Sequence, residues 1–119
     1  MLPKPSSMQL PQLEDESALL ETLEAPDFWL LKHSKICPVS SQGKVQFLAF
    51  LVQHPELPAG WIDVIASRAL SARLAELTGI QHESPQVLRL RAGKVIWHAS
   101  HGAIQAQALE TCMNGKAQD

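Results

Sequence analysis

The fold is decided by residues 28–40, which read FWLLKHSKICPVS. The stretch opens with a short apolar run, Phe28 to Leu31, that is typical of a strand buried on both faces. After Cys37 the apolar residues recur with helical spacing as far as Val52. Pro38 suits a first helical turn, because its missing N–H would have no intrahelical partner there. The sequence therefore predicts a buried strand, a short loop and a helix that begins at this cysteine.

A cysteine at such a junction is placed for thiol chemistry. The N-terminus of a helix carries unpaired N–H groups and partial positive charge, which favour the nucleophilic thiolate over the thiol. Three residues after Cys37, where a dithiol site would have its second sulfur, the sequence has Ser40. Its hydroxyl is expected either to face the sulfur or to satisfy an N–H of the first turn. The pattern indicates a site with one sulfur; a small buried apolar role for Cys37 is the structural alternative.

Length and composition fit one globular domain. The chain has 119 residues, of which 45% are hydrophobic and 18% charged, and its formal net charge is -2. This composition argues against disorder, and the weak charge gives no support to nucleic acid or membrane as a partner. No apolar run approaches the roughly 20 residues of a membrane span, and the N-terminus lacks the apolar centre of a secretory signal. We therefore expect a cytoplasmic protein in which Cys37 and Cys112 are reduced.

The rest of the chain alternates helices and strands. The predicted elements are a helix from Glu14 ended by Pro26, a strand over 61–66, a helix capped by Ser67 and ended by Gly79, strands over 86–90 and 94–98 joined at Ala92-Gly93, and a helix over 103–113. A strand–helix–strand unit requires a parallel pair, whereas the hairpin is antiparallel. The predicted fold is therefore α/β and thioredoxin-like, with a central mixed sheet of four to five strands flanked by helices.

The predicted limits follow from the same pattern. Residues 1–13 are expected to form an N-terminal arm with a short edge strand near residues 8–10. Residues 14–113 form the thioredoxin-like domain, and residues 114–119 a polar tail.

Several strings of the sequence together resemble the YtxJ family of monothiol bacilliredoxins. They are FWLLKHS at 28–34, CPVS at 37–40, Ser67-Arg68, Leu70-Ser71, HESPQVL at 82–88, Gly93-Lys94 and WHASH at 97–101. Members of this family are bacterial thioredoxin-fold proteins associated with the small thiol bacillithiol. The resemblance covers about residues 14–110. It implies that Cys37 is the nucleophile and that the active-site loop contains His33, Ser34, Pro38 and Ser40, with His33 as a possible supporting residue of the core.

A substrate groove is expected beside this loop. The resemblance implies that Pro85 has a cis peptide bond and lies against Cys37, where the backbone of Ser84 can pair with an extended substrate. The strand from Lys94 runs antiparallel to the strand that Pro85 opens, so Ser100 and His101 are expected to border the same groove.

Two other candidate sites receive little support from the sequence. The histidines and Cys37 lack the spacing of a zinc site, and we expect no metal. The last helix is expected to run away from the groove and to carry Cys112 about 15 Å from it, as a packing residue.

The resemblance implies a monothiol thiol–disulfide oxidoreductase. It would remove bacillithiol, or a related small thiol, from mixed disulfides on cytoplasmic proteins through Cys37. The partners would be S-thiolated proteins and a disulfide reductase for recycling; the small thiol is a co-substrate, and no bound cofactor is expected. The alternatives are a non-catalytic thioredoxin-fold binding module or thiol sensor, and a glutaredoxin-like iron–sulfur carrier. Against the last, Pro38-Val39 departs from the Gly-Phe pair of monothiol glutaredoxins.

Overall fold

A computed structural model describes residues 10–115 of the chain. Its helices are α1 (Glu16–Glu24), α2 (Pro38–Val52), α3 (Arg68–Thr78) and α4 (Ala106–Met113). Its strands are β1 (Phe28–His33), β2 (Ala59–Asp63), β3 (Gln86–Arg91) and β4 (Lys94–Ser100). A short 3₁₀ turn, His101–Ala103, lies between β4 and α4.

The four strands form one mixed sheet in the order β2-β1-β3-β4. Strand β1 pairs in parallel with β2 and antiparallel with β3, and β3 pairs antiparallel with β4. The predicted mixed sheet with flanking helices is therefore confirmed, with four strands among the described residues. Because β1 has a neighbour on each side, five of its six residues are buried, as its continuous apolar sequence predicts.

Strand alternation divides the core into two layers. On one face, Trp29 and Leu31 of β1 pack with residues of α2 and α4, chiefly Phe47, Phe50, Leu51, Leu109 and Cys112. On the other face, Leu30 packs with residues of α1, β2 and α3, chiefly Leu19, Ile62, Leu70 and Leu74. Alternation places Lys32 on the face of Leu30, and His33 on the face of Leu31. Both polar residues are buried, and both lie at the end of β1 that leads to Cys37.

Several predicted boundaries are wrong: α1 begins at Glu16 and not at Glu14, and β4 ends at Ser100 and not at residue 98. Hydrogen bonds explain two further differences. Strand β2 covers 59–63 and not 61–66, because the Asp63 carboxylate accepts the N–H groups of Ile65 and Ala66 and turns the chain there. The last helix begins at Ala106 and not at Ala103. Its first N–H donates to the side chain of Gln46, 60 residues earlier in the chain, a partner that local pattern does not reveal.

The predicted N-terminal arm reaches the sheet along β2. Gln12 forms an isolated parallel bridge with Trp61, and the Trp61 N–H donates to the carbonyl of Pro11 at 2.9 Å. Residues 8 and 9 of the predicted edge strand and residues 116–119 of the predicted tail lie outside the described residues. Within residues 10–115, no helix combines the length and apolar character that a bilayer crossing requires.

Candidate active site around Cys37

Cys37 is the N-cap residue of α2. Its backbone is extended, at φ -106° and ψ 121°, and Pro38 follows as the first helical residue. The Cys37 carbonyl accepts the Ser41 N–H at 3.0 Å, which closes the first turn of the helix. Its thiol is partly exposed. The sulfur therefore lies at the N-terminal end of a 15-residue helix, as the sequence predicts, where unpaired N–H groups favour negative charge.

The loop before Cys37 is fixed by Ser40. The Ser40 hydroxyl oxygen accepts the Ser34 N–H at 2.9 Å and shares a hydrogen bond of 2.7 Å with His33 Nδ1. All three residues are buried. The Ser40 hydroxyl therefore binds the loop, and the expectation that it satisfies a first-turn N–H is wrong. His33 supports this loop from the core side.

The Ser84–Pro85 segment packs against the same helix. Its peptide bond is cis. The Pro85 ring lies so close to Gly43 of α2 that a Cβ at residue 43 would be 3.1 Å from it. A glycine in mid-helix costs roughly 0.5–1 kcal/mol relative to alanine, and here it allows the proline loop to approach. The Ser84 hydroxyl oxygen is buried and has no hydrogen-bond partner within residues 10–115.

Ser100 and His101 lie beside the proline loop at the end of β4, and the turn that His101 begins packs against α2. The His101 N–H donates to the Pro85 carbonyl at 2.9 Å, and His101 Nε2 lies 3.3 Å from Glu83 Oε1. Both residues line a depression with Glu83 and His98, which does not include Cys37. The hydrogen bond to the Pro85 carbonyl agrees with the predicted place of His101 beside Pro85. A groove that Ser100 and His101 share with Cys37 stays a prediction.

A cavity of about 550 Å³ lies beside Cys37. Its polar lining comes from the active-site loop, α3 and the proline loop, namely Ser34, Cys37, Arg68, Ser71, His82 and Ser84. The Ser71 hydroxyl and His82 Nδ1 share a hydrogen bond of 3.1 Å. Sequence reasoning did not place Arg68, Ser71 or His82 in the site. A signal was present, because parallel strands β1 and β2 end at the same edge of the sheet and α3 begins just after β2.

Several titratable groups surround this edge of the sheet. Burial lowers the pKa of Lys32 to about 8, an effect that the charge of Glu83 partly opposes. Burial, and then the charge of Lys44, lowers the pKa of His33, so its ring is neutral at pH 7. Hydrogen bonds from the N–H groups of Ala66 and Ile65 and the Lys35 ammonium hold the pKa of Asp63 below its ordinary value, although burial opposes them. Lys35 Nζ is 3.6 Å from Asp63 Oδ2.

Cys112 lies in the core, as predicted. Only 2% of it is exposed, and its sulfur and carbonyl both accept hydrogen bonds from Arg89. Burial raises the pKa of its thiol, which lowers its reactivity. Among residues 10–115 there is no cluster of His, Cys, Asp and Glu arranged to hold a metal ion.

Comparison with solved structures identifies the fold. A protein described as a candidate oxidoreductase with a thioredoxin fold superposes with a TM-score of 0.82, at 28% identity over 87% of this chain and 93% of that one. The oxidised mitochondrial thioredoxin 3 of Saccharomyces cerevisiae superposes at 0.70, with 13% identity over 88% and 93% of the two chains. Thioredoxin from Trypanosoma brucei brucei superposes at 0.73, with 8% identity over 89% and 88%. At such identities the two thioredoxins share the fold alone.

The fold and the single partly exposed cysteine define a thioredoxin-fold protein with a thiol redox role. A family model described as monothiol bacilliredoxin BrxC matches residues 8–109. This range is most of the chain, and the protein belongs to that family. The resemblance inferred from the sequence strings is thereby confirmed.

Proposed function

We propose that the protein removes a low-molecular-weight thiol from mixed disulfides on other proteins, with Cys37 as nucleophile and bacillithiol as the expected thiol. The observation that carries the proposal is the isolation of the Cys37 sulfur. Ser40 occupies the position of a second cysteine, and its hydroxyl is bound to Ser34 and His33. The only other cysteine, Cys112, is buried in the core.

The first step is an exchange of disulfide bonds. The Cys37 thiolate attacks the sulfur that belongs to the small thiol in the client's mixed disulfide. A Cys37–small-thiol disulfide forms, the client's disulfide bond breaks, and the client cysteine leaves as a thiolate that takes a proton from water. The rate of such a step depends on the thiolate fraction of the attacking cysteine and on its access. The position of Cys37 at a helix N-terminus and its partial exposure support the proposal.

The second step frees Cys37. A second molecule of the small thiol, as thiolate, attacks the small-thiol sulfur bound to Cys37. The products are the symmetric disulfide of the small thiol and the Cys37 thiolate. Over the two steps one free small thiol is oxidised to the disulfide level as the client cysteine is reduced, and the number of disulfide bonds does not change. A dedicated disulfide reductase would then regenerate the small thiol. We place clients and reductase in the cytoplasm, where low-molecular-weight thiols keep cysteines reduced.

A dethiolation assay tests this proposal. A client protein with one bacillithiol mixed disulfide is mixed with free bacillithiol and catalytic amounts of the wild type, Cys37→Ser or Cys112→Ser, and the release of client thiol is followed. We expect the wild type and Cys112→Ser to accelerate release to the same extent. Cys37→Ser is expected to leave only the background rate of free bacillithiol.

The two serine variants differ in one sulfur each, so they control for each other. Release by Cys37→Ser at the wild-type rate would refute the proposed function. If the wild type binds the client but does not raise the release of client thiol above the background rate, the result would indicate the binding-module alternative.

A further inference from the structure

The cavity beside Cys37 has a charge pattern that the exchange step itself does not require. Arg68 supplies a cation to its lining, and no aspartate or glutamate of the described residues lines it. Arg73, one turn further along α3, pairs with Glu16 and Glu76. In contrast, Arg68 forms no ion pair or side-chain hydrogen bond within residues 10–115. An unpaired arginine with a planar fork of donors is suited to bind a carboxylate.

Unsatisfied polar groups lie in the same place. The Ser84 hydroxyl oxygen is buried and without a partner in the described part of the chain, although native proteins rarely leave such groups unpaired. Ser84 is a lining residue of the cavity, as is Ser34, which is 7% exposed. A ligand with hydroxyl or amide groups would find hydrogen-bond partners here.

Lys32 provides a second positive charge near the cavity, although it is not among the lining residues. Lys32 is 1% exposed, and its ammonium is close enough to His82 to lower the pKa of that histidine, together with the larger effect of burial. Glu83 opposes this effect. However, the Glu83 carboxylate also pairs with His101 in the neighbouring depression. Apart from the Cys37 thiolate that reacts, the groups that line the cavity are thus cationic or neutral.

We propose that this cavity is the subsite for the non-thiol part of an anionic small thiol, with Arg68 binding its carboxylate while the sulfur reacts at Cys37. The inference rests on the proposed function and names its substrate class. Small thiols that carry carboxylates are expected to be transferred faster than neutral thiols of the same size. Arg68 acts on specificity, since it does not take part in the exchange of disulfide bonds.

The test compares glutathione with its diethyl ester, which lacks the two carboxylate charges, and includes bacillithiol as the expected substrate. One client protein is prepared with a mixed disulfide to bacillithiol, to glutathione and to glutathione diethyl ester, in which both carboxylates are blocked. The second-order rate constant for release of the client thiol by the full-length protein is measured for each. The variants are Arg68→Gln and the matched control Arg73→Gln, which removes an arginine of the same helix outside the cavity.

We expect Arg68→Gln to slow release from the glutathione and bacillithiol clients by about five- to tenfold, as for the loss of one charge-assisted hydrogen bond. The ester client should be affected less than twofold, and Arg73→Gln should change none of the three. Added salt should slow the wild type on glutathione clients and leave Arg68→Gln almost unchanged, because screening acts on the same ion pair.

The two proposals fail in different ways. If the wild type releases none of the three thiols, the proposed function fails and the subsite with it. If the wild type is active but Arg68→Gln slows the ester and the acid clients equally, the function stands and the subsite is refuted. Equal effects of Arg68→Gln and Arg73→Gln would also overturn it.

Discussion

Each end of the sheet contains a cysteine and a buried cation. The two ends differ in whether these groups have bonding partners among residues 10–115. At one end Arg89 lies 4.8 Å over the ring of Trp29. Its Nε is 3.2 Å from the Asp27 carboxylate, and one of its terminal nitrogens donates to the carbonyl and sulfur of Cys112. Arg89 is thus bonded both to the acid and to the cysteine. Within residues 10–115, the buried polar group without a partner at this end is the indole N–H of Trp29.

At the other end the corresponding groups lack such partners. Lys32 is as buried as Arg89, but no ion pair or side-chain hydrogen bond of residues 10–115 involves it. The Ser84 hydroxyl oxygen and the Gln86 amide oxygen are buried and unpaired. Cys37 is partly exposed beside them. Unsatisfied polar groups destabilise a fold, so an end of the sheet where they accumulate indicates function, and the end where they are paired indicates structure.

The largest difference between the two ends is expected in thiol reactivity. In the native protein, iodoacetamide should modify Cys37 at least about 100-fold faster than Cys112, because Cys112 reacts only when the core opens locally. Peptide mass spectrometry after timed quenching measures both rates in one sample. In denaturant the two rates should become similar, which is the control. Similar rates in the native protein would show that Cys37 and Cys112 do not differ in reactivity, and would contradict the difference between the two ends.

The paired end is expected to depend strongly on Arg89. Arg89→Met should lower the free energy of unfolding by about 3 kcal/mol, because it leaves Asp27 and the Cys112 carbonyl without their partner. Urea unfolding measures this value. The control Arg91→Met, at an exposed position of the same strand, should change it by no more than about 0.5 kcal/mol. A loss at Arg89 as small as that at Arg91 would show that the network contributes no stability.

At the end of the sheet near Cys37, removal of the buried cation should raise the free energy of unfolding. Lys32→Met is expected to raise the free energy of unfolding by about 1–3 kcal/mol at pH 7, because it removes a buried charge without a partner. The pKa of Lys32 is about 8 in the folded protein, and its ordinary value is 10.5. Between these values the unfolded chain binds more protons than the folded one, so the wild type gains stability as the pH rises.

The stability difference between wild type and Lys32→Met should therefore be full below pH 8 and narrow toward pH 10, when urea unfolding is repeated across that range. Lys94→Met, at an exposed lysine of β4, is the control and should show no such narrowing. Destabilisation by Lys32→Met would mean that Lys32 is a structural cation like Arg89.

The smallest effect is expected in the active-site loop. Ser40→Ala should cost about 1–2 kcal/mol, since it leaves the buried Ser34 N–H and His33 Nδ1 without their partner. Ser41→Ala, at the exposed neighbouring residue, should lie within about 0.5 kcal/mol of the wild type. Thermal unfolding of the three proteins measures the difference. If both variants unfold with the wild type, the hydrogen bonds of Ser40 do not stabilise the loop.

Local pattern predicted the parts of the molecule that local physics controls. Pro38 as the first helical residue, Gly79 in a left-handed conformation at the end of α3, and the turn at Ala92-Gly93 all agree with the structure. Each depends on a backbone preference of the residue itself. The mixed character of the sheet, with a parallel pair and an antiparallel hairpin, followed from the alternation of elements and from the turn between the last two strands.

The contacts of the site could not be predicted in the same way, because they join residues far apart in the chain. Gly43 meets Pro85 across the molecule, and Arg68 reaches the Cys37 cavity from the start of another helix. The sequence placed Ser100 and His101 correctly beside Pro85. It could not indicate the ion pair between His101 and Glu83, since that depends on side-chain conformations.

The identity of the adduct on the protein tests the central claim most directly. The wild type and Cys112→Ser are incubated with an excess of bacillithiolated client, without free bacillithiol, and intact-protein and peptide mass spectrometry follow. The account predicts one bacillithiol in disulfide linkage on Cys37 in both proteins, with one client thiol released for each. An adduct on Cys112, or release of client thiol while Cys37 remains unmodified, would contradict it.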